Sequence, residues 1–421
     1  MLKRFLQDKR TRNKCHIYQM LAKHARKPHL SFHTPGHKVG AWDLTELSFS
    51  DNLASPRGCI AAAEQDLANL LHAHSAFLLT DGSTSGVFSI LFAAKSTGVK
   101  SVAIPAVCHP SVENACAIFG LQVHRFSSVE RIPAALEHAD ALFLTSPNYY
   151  GKIPPLKALR ALCEKEKKLL LIDGAHGGHL HYNQALYAGT YADLWVDGVH
   201  KSLPALTQGA VVYAKTEQLG VALKYAVKRF RTTSPSYPIM ASVEYAVKYP
   251  ENKDLENAVR AYAEKQPRVV VEEDYTKLCA RFGDNAFKVE KELEKRGIYA
   301  EFCDGENIVF YLSPATKKSA FRRLKRTLKK LFVLYKEKTT QRIPAPVVSQ
   351  NEGEIEQVDL RDAEGRICAE DCGLFPPCTP LVRKGERIEK ESIYLLENAA
   401  NTYGLTDGKI RVFKKENEDN L

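Results

Sequence analysis

The feature that most constrains this 421-residue chain is a regular alternation, from about residue 62 to 213, of short apolar stretches with amphipathic ones. Apolar segments at 76–79, 102–104, 122–126, 141–144, 169–172, 193–196 and 210–213 read as strands, and helical periodicity fills 62–72, 86–95, 111–119 and 155–166. Strands that are apolar on successive residues must be covered on both faces. The pattern therefore predicts an α/β fold with a mostly parallel sheet, whose ligands collect at the carboxyl ends of the strands. The expected organisation is an N-terminal helix and arm over 1–50, with the helix near 13–27, then a large domain over 51–270 and a smaller α+β domain over 271–421. In that last part the texture changes to charged helices expected at 272–296 and 317–338, which flank the apolar IVFYLS, and then to a Pro- and acid-rich stretch at 342–359.

Hydrophobic residues at 44% and charged residues at 26% exclude wholesale disorder, collagen-like repeats and rods. The net charge of +10 comes almost entirely from 317–338, where ten Lys and Arg stand against the single acid Glu337. Phe321, Leu324, Leu328, Leu331, Phe332 and Tyr335 recur there at helical spacing, so the cations read as the solvated face of a packed helix. No aromatic–basic interleaving accompanies them, and no nucleic-acid partner is expected. The ten cysteines are scattered without CxxC pairs, and the grouping of Cys368, Cys372 and Cys378 lacks the paired ligands of a zinc ribbon. Reduced thiols and no metal are the expectation. The start MLKRFLQDKRTRNKC has no apolar core of a secretory signal, and no run of 18 apolar residues occurs, so a cytoplasmic protein without a membrane partner is expected.

Four short segments carry chemistry. In LLLIDGAHGGHL an apolar strand ends at Asp173, which places a carboxylate at a strand's carboxyl end beside the small Gly174 and Ala175. In DLWVDGVHKSLPALTQGA another strand leads to His200, Lys201 and Ser202; a lysine in a cleft loses its proton readily and becomes a nucleophile able to form a Schiff base. In TDGSTSGVFSILFAAK, Gly82, Ser83, Thr84, Ser85 and Gly86 precede an apolar helix, offering free N–H groups, a positive dipole end and hydroxyls to a phosphate. In PAVCHPSVENA, His109 follows a strand and has a flat ring able to stack. Each has an ordinary alternative: a capping carboxylate, a solvated lysine, a plain N-cap, a loop histidine. Together they form the set that pyridoxal 5′-phosphate requires, namely a lysine for its aldehyde, a carboxylate for its ring nitrogen, a phosphate cup and a stacking group.

Their order resembles the fold-type I pyridoxal-phosphate enzymes, and most closely the Orn/Lys/Arg decarboxylases, through FHTPGHKVG, LLTDGSTSGV, VCHPSVENA, IDGAHGGH, VHKSLPALTQGA, TTSPSYPIMAS and GRICAEDCGLFPPCTP, which together span about 31–386. The resemblance implies a fold-type I large domain and pyridoxal-phosphate-dependent decarboxylation of arginine, lysine or ornithine. It implies that Lys201 carries the cofactor, Asp173 partners the ring nitrogen and His109 stacks on the ring. Ser83, Thr84, Ser85 and His200 become phosphate-cup residues, and His176 lies near the ring. Thr233 or Ser234 reaches the phosphate of a neighbouring subunit, which makes the expected assembly a homodimer with shared sites. Glu370 would meet the distal cation of the substrate.

Three departures stand out. Gly198 occupies a position where relatives often carry a phosphate-binding Ser, PPCTP with Cys378 and Thr379 replaces PPGIP, and with only about 60 residues before the first helix of the alternation, the N-terminal wing of the large inducible members is expected to be absent. A fold-type I aminotransferase would share Lys201 and Asp173, yet SPNYYGKIP stands where its NPxG-type loop belongs. A non-catalytic regulator that binds the cofactor, or nucleic acid through the 317–338 helix, is the alternative from another class.

Overall fold

A computed structural model describes residues 2–38, 40–337, 353–375 and 380–414. The chain divides into two compact units. The first takes the residues up to Asn257 together with Glu272–Thr276 and Leu312–Thr316, and the second takes Ala258–Val271, Lys277–Tyr311 and the chain from Lys317.

The first unit is built on seven strands: β1 (Ser75–Leu79), β2 (Ser101–Pro105), β3 (Gln122–Phe126), β4 (Ala141–Thr145), β5 (Leu169–Gly174), β6 (Leu194–Asp197) and β7 (Ala210–Ala214). Their order is β1-β7-β6-β5-β4-β2-β3, and β7 alone runs against its neighbours. The predicted α/β architecture with a mostly parallel sheet is the one observed. Alternate residues of the strands feed two separate cores. Leu142, Leu144, Ile172, Trp195 and Tyr213 face one, while Phe143, Leu171, Leu194, Val196 and Val212 face the other. A sheet apolar on both faces must be sandwiched. Helices Gly82–Ser96 and Glu217–Phe230 cover one face; His16–His24, Cys59–Leu70 and Tyr237–Val247 cover the other. The first of these last three is held by buried Glu244, whose oxygens accept the N–H groups of His16 (2.7 Å) and Ile17 (3.0 Å) and the ammonium of Lys248 (3.0 Å).

In the second unit the sequence expectation needs correcting. Residues 272–296 do not form one helix. Lys277–Arg281 is a strand paired antiparallel with Asn307–Tyr311, and only Ala286–Lys295 is helical. Gly283 turns the chain with φ +56° between them, and the charges at 272–273 and 288–295 imitate one amphipathic pattern across that break. The basic segment is helical over Lys318–Leu334, burying Phe321, Leu324, Leu328 and Leu331 as its periodicity requires. The unit contains a four-stranded antiparallel sheet and two three-stranded ones, which makes it the smaller α+β part. Most of the Pro- and acid-rich stretch lies outside the described residues. Among the described residues no helix is long and apolar enough to cross a membrane.

Gly86 sets how closely the helix Gly82–Ser96 rides on the sheet. A Cβ there would stand 2.4 Å from Val196 Cγ2, on a stiff β-branched side chain of β6. Gly86→Ala is therefore expected to destabilise the protein by about 1 to 3 kcal/mol, despite alanine's better helix propensity. Urea unfolding checks this, and a stability gain would refute it.

Candidate active site

Of the polar residues singled out above, Ser83, Thr84, Ser85, His109, Asp173, His176, His200 and Lys201 stand where β1, β2, β5 and β6 end. Asp173 is next to last in β5 and is buried; its Oδ1 accepts the N–H of Ala175 at 3.0 Å. β6 ends at Asp197, and after Gly198 the chain turns into the single-turn helix Val199–Ser202, which carries His200 and Lys201. Lys201 Nζ lies 3.3 Å from Nε2 of the buried His176, which sits three residues past Asp173.

His109 caps the helix Pro110–Phe119. Its Nδ1 accepts the N–H of Ser111 at 3.2 Å and is 2.8 Å from that residue's Oγ, so in the neutral ring the proton sits on Nε2. Burial pushes the His109 pKa down, Asp173 pulls it back up, and Lys201 pushes it down again. Three residues far apart in sequence thus share one electrostatic neighbourhood. Neutral at pH 7, the His109 ring is a flat, weakly solvated surface.

His200 donates its Nδ1–H to the carbonyl of Gly209 at 3.0 Å, and burial lowers its pKa, which leaves an uncharged ring with Nε2 available. At the head of Gly82–Ser96 the hydroxyl of Ser85 is engaged by Asp81 Oδ1 (2.9 Å) and the Gly82 carbonyl (3.0 Å). Half-buried Ser83 and exposed Thr84 are the hydroxyls left over for an anion. The other oxygen of Asp81 accepts the N–H of Thr232 at 3.0 Å, which ties the exposed Thr233 and Ser234 close to this chain's own helix start. Glu370 belongs to the second unit, where it pairs with Arg411 at 3.4 Å, and its carbonyl accepts the thiol of Cys368 at 2.9 Å. Cys378 and Thr379 lie outside the described residues.

Sequence reasoning passed over Tyr149. It follows β4, the strand beside β5, and its ring meets His176 edge-on at 4.8 Å. The signal was present, since neighbouring parallel strands bring the loops at their carboxyl ends together. The departure at Gly198 has a physical reason: a Cβ there would lie 2.5 Å from the Ala175 carbonyl oxygen, so the loop after β5 occupies the space a serine would need.

The group this constellation suits is an aromatic aldehyde phosphate. It offers a primary amine, a buried carboxylate at a strand end, a neutral stackable ring, and hydroxyls on a helix start, all at one edge of the sheet.

Comparison with known proteins agrees. The family models "Orn/Lys/Arg decarboxylase, major domain" and "Orn/Lys/Arg decarboxylase, C-terminal domain" match residues 123–274 and 327–402. The uncharacterised protein YaaO of Bacillus subtilis is 26% identical, with 95% of this chain and 97% of that protein covered. An arginine decarboxylase of the same organism is 27% identical over 91% of this chain and 93% of its own length. The constitutive lysine decarboxylase of E. coli has the same fold, with a TM-score of 0.67, 18% identity, and 95% of this chain and 82% of that one covered.

Gly198→Ser is expected to weaken retention of pyridoxal phosphate rather than add a ligand. Overpacking against Ala175 costs about 1 to 3 kcal/mol, which, where it falls on the cofactor-bound form, corresponds to roughly five- to 150-fold in affinity. Titrating the apoprotein with the cofactor by absorbance reads the change, and unchanged or tighter binding would count against it.

Proposed function

This chain belongs to the Orn/Lys/Arg decarboxylase family, and from that premise and the geometry of its site we propose that it removes the α-carboxylate of a basic amino acid, arginine, lysine or ornithine, with pyridoxal phosphate as cofactor. The observation that carries the proposal is that Asp173 at the end of β5 and Lys201 on the turn after the paired strand β6 stand at the carboxyl edge of the sheet, with His176, three residues past Asp173, 3.3 Å from Lys201 Nζ. The net reaction consumes the amino acid and one proton, and it yields carbon dioxide and the amine.

When bound, pyridoxal phosphate supplies a conjugated, protonated ring that accepts the electron pair left at Cα as carbon dioxide departs. Lys201 holds the cofactor's aldehyde carbon. Asp173, buried and backed by the Ala175 N–H, holds the proton on the ring nitrogen and so keeps the ring electron-poor. His109 would offer its neutral ring as a stacking surface for the cofactor. Ser83, Thr84 and His200 hold the phosphate, with Ser85 bracing the cup through Asp81. In a homodimer Thr233 or Ser234 of each copy adds to the phosphate site of the other.

Proton return to Cα falls to Lys201 Nζ, with His109 Nε2 as the other donor at hand. His176, 3.3 Å from Nζ, is placed to exchange a proton with it. The burial of Asp173, His176 and Ser202 keeps bulk water away from these atoms. Glu370 recognises the distal ammonium or guanidinium of the substrate.

The direct test incubates the purified protein and pyridoxal phosphate with each basic amino acid and identifies the amine and carbon dioxide formed. Asp173→Asn should retain cofactor while losing turnover by about a hundredfold or more, at ~1.4 kcal/mol of barrier per tenfold. Near-normal turnover would reject its role. Glu370→Gln should cut kcat/KM for the preferred substrate about tenfold or more, through an unpaired substrate cation, with the cofactor's absorption spectrum unchanged. Full efficiency would assign the distal charge to another residue.

A further inference from the structure

Among the buried carboxyls that the reaction just described leaves unused is that of Asp197, on the strand beside the one that carries Asp173. It ends β6 four residues before Lys201, and in the β5–β6 pairing it stands opposite Gly174, the residue after Asp173. It is 1% exposed. Tyr187 Oη donates to Oδ2 at 2.7 Å, and Trp195 Nε1 donates to Tyr187 Oη at 3.0 Å, so two donors in series fix the group. The other oxygen, Oδ1, has no hydrogen-bond partner among the described residues and lies 2.8 Å from where a Cβ on Gly174 would stand. A side chain at 174 would occupy that place.

A carboxylate so enclosed is poorly solvated. Burial drives the Asp197 pKa up to about 7; the bond from Tyr187 opposes this and the charge of Asp173 adds to it. The titratable groups around it are Tyr187, Tyr213 on β7 and Asp173 on β5. Burial holds both phenols well above their usual range, so they stay neutral, and Asp173 is the charge that Asp197 feels. Such coupling is reciprocal: whatever Asp173 does to Asp197, Asp197 returns.

We propose that Asp197 is a positioning residue acting through Asp173: when Asp197 becomes charged, its negative potential at the end of β5 strengthens the grip of Asp173 on the proton of the cofactor's ring nitrogen. The inference rests on the reading of Asp173 given above. Its sign is fixed. Below neutral pH Asp197 is uncharged and adds nothing, and above neutral pH it favours the protonated ring, so cofactor affinity and turnover both rise through the transition.

The first measurement needs no turnover. In the native apoprotein, infrared difference spectra should show a protonated carboxylic acid that disappears between roughly pH 6 and 8, and Asp197→Asn should lack that band. The affinity of the native apoprotein for pyridoxal phosphate should contain a rise of about fivefold or more over that window that Asp197→Asn does not show. Asp197→Glu should restore a step. Tyr187→Phe should move the step to higher pH, because the lost hydrogen bond favours the charged form, and it serves as the second probe if Asp197→Asn folds poorly. A native-like pH dependence in Asp197→Asn, or a Tyr187→Phe step that stays put, overturns the proposal. If amine is formed and Asp197→Asn titrates like the native protein, this inference alone fails. If no basic amino acid yields an amine while the Asp197-dependent step in affinity persists, the decarboxylase reading fails and this inference stands.

Discussion

A sheet that is apolar on both faces leaves polar groups nowhere to go but its ends. β4, β5 and β6 are apolar on nearly every residue, and their alternate side chains are absorbed by two separate cores. Polarity begins only where each strand stops, at Thr145 and Ser146, at Asp173 and at Asp197. Neighbouring strands end at the same level, so groups distant in sequence are crowded into a small volume. β7 contributes by returning antiparallel beside β6, which confines the Lys201 turn between two strands instead of sending it around a long crossover.

Crowding of this kind costs free energy, and the local wiring shows how the cost is contained. The burial that lowers the pKa of His109 and His200 keeps those rings neutral, so the cluster holds fewer charges than its formula suggests. The Asp173 carboxylate is backed by a peptide N–H, and the Lys201 ammonium is spread toward an imidazole nitrogen. Local dipoles therefore do part of the work that counter-charges would otherwise do. An added cofactor then meets groups already fixed, at little cost in reorganisation.

Much of this was legible in the sequence because two periodicities carry it. Alternate burial along the strands and the 3.6-residue repeat of the helices locate the elements around Asp173, His109 and Lys201, and function words such as DGAH and HKS fall at their ends. The second unit was harder to read. At 272–296 a charged run on each side of Gly283 reads as one amphipathic helix, although pairing with Asn307–Tyr311 makes a strand of its first half. Such pairing is nonlocal and leaves no trace in a window of neighbours. Tyr149 was missed for a related reason: its relevance comes from the adjacency of β4 and β5, a property of strand order. The engagement of Ser85 with Asp81 was equally hidden, since a run of hydroxyls does not reveal which one the helix cap consumes.

The Asp81 cap also connects the proposed phosphate cup to the segment proposed to reach a second copy. One of its oxygens binds Ser85 and the other binds Thr232 N–H, so a single carboxylate fixes the head of the cup and the start of TTSPSYP. Just before that start, buried Arg231 donates to the carbonyls of Leu78 (2.9 Å) and Leu53 (2.5 Å) and lies 3.4 Å from Glu64. Burial outweighs the attraction of Arg231 in setting the Glu64 pKa, which rises to about 7, and burial lowers that of Arg231. With each charged form disfavoured by desolvation, the pair contributes placement more than stability. It fixes where residue 231 leaves the core, and the Asp81 cap fixes where residue 232 begins. Two successive residues held from opposite sides give the exposed Thr233 and Ser234 a defined direction, which the role proposed for them at a neighbouring site would require.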